Sequence, residues 1–536
     1  MKIKTEKIPQ PEAAIPPKRK KSGKNSTRKQ IRGSSLLLAG RVISVGMNFV
    51  SQVLIVRYLS QADYGAWAYA LAVVAFFQGF ASLGLRRGIT RFIPIFEEKE
   101  AYGKLFGTII LTIGTLLITG ILVIGAIYIA PETISRLVSG ENQPVTLLLI
   151  LIFMVPVEGF NGALIGLFAS FASPKVIFTR KFIWGPGVKL LVVALLIFFK
   201  SDVLFLAYGY LLGNVGGILF FSWVLYRMLV RQGVTRHFSW DKLKIPAIEV
   251  FSFTIPLLTS DLVNVIMHAS DTLFLGYFHN TAEVALYQVI LPAARFNKLV
   301  MVSFGLLYTP LAARLFARED HKGINELYWT TAIWMGVLSF PLFAITFSLA
   351  EPLTTFLYGE RYAASWIFLQ LLAFGYYFNV MLGFNGLTLK VLGKVRYVVI
   401  VNVAAGVLNL ILNLALIPKW GALGATIATA VSMIVHNILK QAGLRYATGI
   451  SVFDRRYLSF YLIITGGALG LFLFQLFVTK NIYILLPVAA AVSLGVMKWC
   501  QELLNIEETF PELLKIPFIN KILGLKPPSK RNSPEK

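Results

Sequence analysis

A single cysteine, Cys500, occurs in 536 residues, which excludes an internal disulfide and any cysteine-based metal cluster. Histidine is nearly as scarce: five are scattered without ligand spacing, so no metal site is expected. Charged residues make up only 14%, and acidic side chains are about half as numerous as basic ones, 26 against 51. No HExxH motif occurs, and Gly393-Lys394 lacks the upstream glycine and following Ser or Thr of a nucleotide-binding loop. No cofactor is therefore expected. The formal charge of +25 could point to nucleic acid, but the basic residues flank apolar runs and form no stripe with stacking aromatics. A nucleic-acid partner is not expected; topology and attraction to anionic lipid headgroups account for the charge.

What is abundant is apolar sequence, 56% of the chain, in runs of membrane-crossing length. The expected class is an all-α integral membrane protein with about fourteen transmembrane helices. The opening pair sets the pattern: residues 35–58 and 64–85, joined by a short turn holding Asp63 and followed by Arg86, Arg87 and Arg91. By the positive-inside rule the turn faces out. Further spans are expected near 105–130, 144–168, 182–199, 203–226, 249–278, 283–312, 325–350, 363–389, 397–417, 421–439, 457–478 and 482–499. Of all Lys and Arg, only Arg136, Lys200, Arg361, Lys419 and Lys480 fall in external segments; Arg41, Arg57, Lys189, Arg295 and Lys298 lie within spans, with Lys498 at the end of the last. A miscounted helix would scramble that asymmetry, so both termini are expected in the cytoplasm, in a multi-pass protein of the cell membrane.

The expected organisation is a disordered basic tail (1–34), a lobe of helices 1–6 (35–227), a cytoplasmic connector (228–248), a lobe of helices 7–12 (249–445), helices 13 and 14 (446–499), and a cytoplasmic tail (500–536). The lobes repeat weakly. KVIFTRKFIWGPGVKLLVV from Lys175 aligns to KVRYVVIVNVAAGVLNLIL from Lys394, and VLIVRYLSQADYGAWAYA aligns to TLFLGYFHNTAEVALYQV at the same 219-residue spacing. Six helices per unit give both the same orientation, as parallel repeats around a central cavity.

Polar residues recur on single helix faces inside the spans. Arg41, Asn48 and Gln52 share one side of the first helix. The seventh carries Asp261, Asn264, His268 and Asp271, the eighth Gln288, Arg295 and Lys298, and the eleventh Asn402, Asn409 and Asn413. Glu158 and Lys189 add to the fourth and fifth. A charge at bilayer depth costs about 2.5–3.5 kcal/mol on insertion scales, so these groups should face a wet interior. Two plainer roles stand beside that one: Arg41 snorkelling to the inner interface, and Asp261 or Asp271 pairing with Arg295 or Lys298 to fix helix packing. Pro156, Pro186, Pro256, Pro292 and Pro341 should kink their spans. Asp63, Glu132, Glu141, Glu351 and Glu360 read as ordinary charges of short external loops.

In order, VRYLSQADYGAWAYA, SLGLRRGITRFIP, DTLFLGYFHNTAEVALYQV, YTPLAARLF, LYGERYAASW and IPKWGALGATIAT resemble the oligosaccharide flippases. These form the polysaccharide-transporter branch of the multidrug/oligosaccharidyl-lipid/polysaccharide exporter superfamily. The resemblance runs from about residue 35 to 445. It implies two six-helix lobes translocating a polyprenyl-(di)phosphate-linked oligosaccharide by alternating access, in concert with glycan-assembly enzymes. It also implies a cationic cavity, for which Arg41, Lys189, Arg295 and Lys298 are the matching or nearby candidates, lined further by Asn48, Gln52, Glu158, Asn264, His268, Gln288, Asn402, Asn409 and Asn413. Fixed cations would offset desolvation of a phosphate. Asp261 and Asp271 are candidates for coupling to a proton or sodium ion, or for a latch on a cavity cation. A drug/cation antiporter of the same superfamily is the alternative, followed by a polytopic glycosyltransferase or ligase.

Overall fold

The computed structural model describes residues 23–129, 142–171, 173–451 and 454–504, all helix or short connection with no strand among them. Among the described residues, eleven helices are long and apolar enough to cross a membrane, and a bent pair, Thr281–Gly305 with Leu307–Ala317, makes a twelfth if taken as one span. The first helix begins at Gly23, so the end of the expected tail is helical. Residues 1–22 and 505–536 lie outside the described residues.

Helix ends follow local chemistry. Ser60 caps the helix Gln61–Ala81, its side chain accepting from the Asp63 amide, and Asp63 adds a negative charge to the first turn. Asn280 does the same for Thr281–Gln288 with Glu283. These equivalent caps lie 220 residues apart, one more than the gapless alignment gives, and each turn leaves two residues between its helices. Several expected kinks are breaks. Pro292 starts a short helix after the interruption at Val289 and Ile290, and Pro186 follows a π-helical turn, Thr179–Trp184. Pro341 precedes a second π-helical turn, Ala344–Ser348. Pro256 sits inside an uninterrupted helix, Ala247–Phe278.

Two breaks rest on glycine. After Gln61–Ala81, Gly84 at φ 66 redirects the chain into an amphipathic helix, Leu85–Glu98, so the basic run of SLGLRRGITRFIP is helical. In the 54-residue stretch Val395–Thr448, Gly421 adopts φ 50 and ψ −130, and the Glu283 carboxylate accepts from the adjoining Ala422 amide at 2.8 Å.

The parts before and after the connector meet along a tightly packed seam. Gln61–Ala81 runs against Thr281–Gln288 and Ala247–Phe278, and a Cβ on Gly65 would overlap the Thr281 carbonyl. Gly276 likewise admits the Tyr69 ring. Close backbone approach through small residues is how helices gain packing in lipid, where apolar burial gives no net drive. One core runs across the seam, from Ile55 and Trp67 to Tyr287, Ala294 and Leu369. The last two long helices, Leu458–Phe477 and Ile482–Trp499, pack on His321–Phe343 in a separate core that includes Cys500.

Candidate functional site

Arg41, Lys189, Arg295 and Lys298 line one cavity of about 520 Å³, together with Asn48, Gln52 and Tyr376. They come from three stretches of chain: Arg41 and Lys189 from two helices before the connector, and Arg295 with Lys298 from one helical path after it. Adjoining compartments of about 440 and 600 Å³ share Lys189 with it; the first adds Glu158 and the second Gln288. A fourth, of about 380 Å³, continues past Glu158 to Arg86 and Arg87.

The two lysines of this cavity lie beside aromatic rings, with no ion-pair partner among the described residues. Lys298 lies 4.3 Å from the Tyr376 ring centre and Lys189 5.4 Å from that of Tyr210. An aromatic face stabilises a cation without neutralising it, which leaves the charge available to an anion. The break at Val289 and Ile290 sets the wall: Gln52 donates across the seam to the Val289 carbonyl at 3.3 Å and to the Tyr64 hydroxyl at 3.1 Å. Phe49 and Phe296, with ring centres 4.8 Å apart, pack beside it. Gln288 donates to the Thr272 hydroxyl.

Other expected lining residues lie elsewhere. Asn409 and Asn413 are buried between helices, at 1% and 0% exposure, and line none of these cavities. Asn413 donates to Asp271 at 2.7 Å, and Asp271 also accepts from Tyr287 at 2.6 Å and Thr429 at 2.7 Å. Periodicity placed these residues on one face, but that face meets other helices. Asn402 faces a separate cavity and contacts His436 at 2.8 Å. The side chains of Asp261, Asn264 and His268 lie outside the described residues.

Two cations were missed. Arg180 and Lys181 were expected in a cytoplasmic connection, but the helical path starts at Pro174 and carries them into the wall. Arg180 is 4% exposed, donates to Asn161, and lies 5.1 Å from the Phe221 ring centre. Lys181 lines the compartment that holds Glu158. The available signal was Pro174, a favoured first-turn residue, eight positions before the expected span start.

The family described as "Polysaccharide biosynthesis protein" matches residues 31–316, more than half of the chain, and the MatE family matches residues 256–415. An uncharacterized membrane protein of Methanocaldococcus jannaschii is 21% identical over 76% of this chain and 82% of its own length. The lipid II flippase MurJ of Bacillus subtilis is 23% identical over 93% of this chain and 98% of its own. A solved structure of lipid II flippase MurJ, in an inward closed conformation, superposes with a TM-score of 0.69 at 15% identity, covering 87% of this chain and 99% of that one. The chain therefore belongs to the polysaccharide biosynthesis protein family, the flippase branch of the multidrug/oligosaccharidyl-lipid/polysaccharide exporter superfamily.

Proposed function

We propose that this protein moves a polyprenyl-linked oligosaccharide from the cytoplasmic to the external leaflet by alternating access, and that its cationic cavity receives the phosphate or diphosphate of the carrier. The observation that carries the reading is the meeting of Arg41, Lys189, Arg295 and Lys298 on one cavity at the seam. Guanidinium groups fit phosphate bidentately and ammonium groups act as point charges, so together they replace lost hydration. Glu158 and Gln288, in adjoining compartments, offer polar contacts to sugar hydroxyls. A cavity meant for a cationic drug would be acidic instead.

The fold carries fourteen crossings in this reading. Ala247–Phe278 is one more, and the 54-residue helix counts as two on either side of Gly421, added to the eleven and the bent pair. The halves act as parallel repeats that rock about the seam, with both termini in the cytoplasm of a cell membrane, where glycan-assembly enzymes supply the cargo. Asp271 serves packing through Tyr287, Asn413 and Thr429, and a latch on a cavity cation, or coupling to a proton or sodium gradient, falls to Asp261.

The test is flipping in proteoliposomes. Arg41→Ala and Arg295→Ala should each slow transport of a polyprenyl-diphosphate-linked sugar by about tenfold or more, the size of one charge-assisted hydrogen bond. The Lys variants should lose less. Normal transport by both Ala variants at equal protein would sink the reading.

A further inference from the structure

We infer that the C-terminal half holds a second, separate anion site, built for a phosphate or diphosphate group. It is a cavity of about 360 Å³ lined by Lys390, Lys440, His436, Asn379, Asn385 and Asn402. That volume is within the range of small-molecule sites. No Asp or Glu lines it, and Lys440 has no ion-pair partner among the described residues. Two ammonium groups and an imidazole thus share a pocket with no counter-charge among the described residues. Lys440 is half-buried and Lys390 exposed at the pocket's edge, and an anion of two negative charges between them relieves their mutual repulsion.

The backbone is arranged for it. The path from Trp366 to Val391 is interrupted at residues 382–384, where Gly383 adopts φ 61 against Ala332. Broken membrane helices recur at binding sites because the break turns polar groups toward a cavity. Here it delivers Asn385, which accepts from the Gly386 amide at 2.6 Å and donates to the Asn437 carbonyl at 3.3 Å. Lys440 packs against Gly386, its Nζ 3.5 Å from where a Cβ would stand. The His436–Asn402 contact orients the imidazole. Val302 lines both this pocket and the four-cation cavity, so the two share a wall. Building on the function proposed above, this pocket is a second station for the carrier's phosphate.

The test counts sites. Radiolabelled inorganic pyrophosphate is titrated onto the full chain in phosphatidylcholine nanodiscs, with thermal midpoints confirming folded variants. Wild type should bind two equivalents, Lys390→Gln/Lys440→Gln one, and Arg41→Gln/Arg295→Gln the other one. Lys390→Arg/Lys440→Arg should restore two. Each lysine alone should weaken its site about tenfold or more. One wild-type equivalent, lost only in the Arg41/Arg295 variant, overturns this inference and leaves the cationic-cavity reading intact. One equivalent, lost only in the lysine variant, supports the inference and overturns that reading; no binding overturns both. Competition then identifies the source. Displacement from the lysine site by farnesyl diphosphate and not by phosphatidylglycerol assigns it to the carrier. Displacement by phosphatidylglycerol makes it a lipid-headgroup site, and displacement by neither a free-phosphate site; both overturn the second station.

Discussion

The seam near the Ser60 turn is closed by two arginines that cap each other's helix ends. Arg57 donates from Nε to the Leu357 carbonyl at 2.9 Å and from Nη2 to that of Phe356. Arg361 donates from Nη2 to the carbonyls of Arg57, at 2.8 Å, and Val56. Each guanidinium thus meets the last carbonyls of a helix, which carry partial negative charge and have no intrahelical partner. A charge-assisted bond contributes about 1.5–3 kcal/mol when buried. Both arginines are solvent-exposed, so about 0.5–1 kcal/mol per residue is the better figure. Removing both should shift the closed-to-open ratio at this end by about 1–2 kcal/mol, or roughly 5–30-fold.

The assay is thiol labelling. In a Cys500→Ala background, a cysteine replaces Ala68, which lines the cavity behind the clamp and is 9% exposed. A membrane-impermeant maleimide is applied only from the side of the Ser60 turn. Arg57→Gln/Arg361→Gln should raise the labelling rate by that 5–30-fold, and each single change by less. An unchanged rate in the double variant, at wild-type expression and thermal stability, would show that the clamp does not hold this end shut.

Three further outcomes follow from the packing. Gly65→Ala should also speed Ala68→Cys labelling, because the added Cβ drives Gln61–Ala81 away from Thr281; equal labelling would refute close approach there. Asp271→Ala should lower the thermal midpoint strongly, since it strips partners from Tyr287, Asn413 and Thr429 at about 1–3 kcal/mol for each group left unsatisfied, whereas Asp271→Asn should lower it less; equal midpoints would remove the packing role. Cysteine reporters at Asp63 and His279 should label from outside and those in 228–248 from the cytoplasm; any reversal would overturn the fourteen-crossing topology.

Much of this was legible because membranes impose simple rules. Apolar run length marks a crossing, and a cation inside such a run must find a wet or aromatic surrounding. Arg41, Lys189, Arg295 and Lys298 obeyed that logic and came together. Asn409 and Asn413 defeated it, because periodicity says which residues share a face and nothing about what the face meets. Amides and hydroxyls also serve as glue between membrane helices. The cations at span ends were illegible for another reason. Hydropathy ends a span where apolar sequence stops, whereas the helix goes on: from Pro174 it carries Arg180 and Lys181 into the wall, and to Thr448 it carries Lys440 into a second pocket.

That last point bears on how the charge of the whole chain should be understood. The positive-inside bias accounts for basic residues in cytoplasmic connections, and Lys440 and Lys181 were counted there. Yet both line internal cavities, each on a helix that outruns its apolar span. On the fourteen-crossing topology proposed above, a lysine at such a place would serve two ends, biasing orientation during insertion and forming part of a cavity wall in the folded protein. Arg86 and Arg87 follow the same pattern at the Gly84 break, lining the compartment that continues to Glu158. Basic groups therefore run from the cavity margins inward to Lys189 and Arg295; on the function proposed above, they would draw an anionic headgroup in by attraction that deepens as water is left behind. On this argument raised ionic strength should weaken capture at the exposed margin more than binding at the buried cations, since salt screens the first and reaches the second poorly.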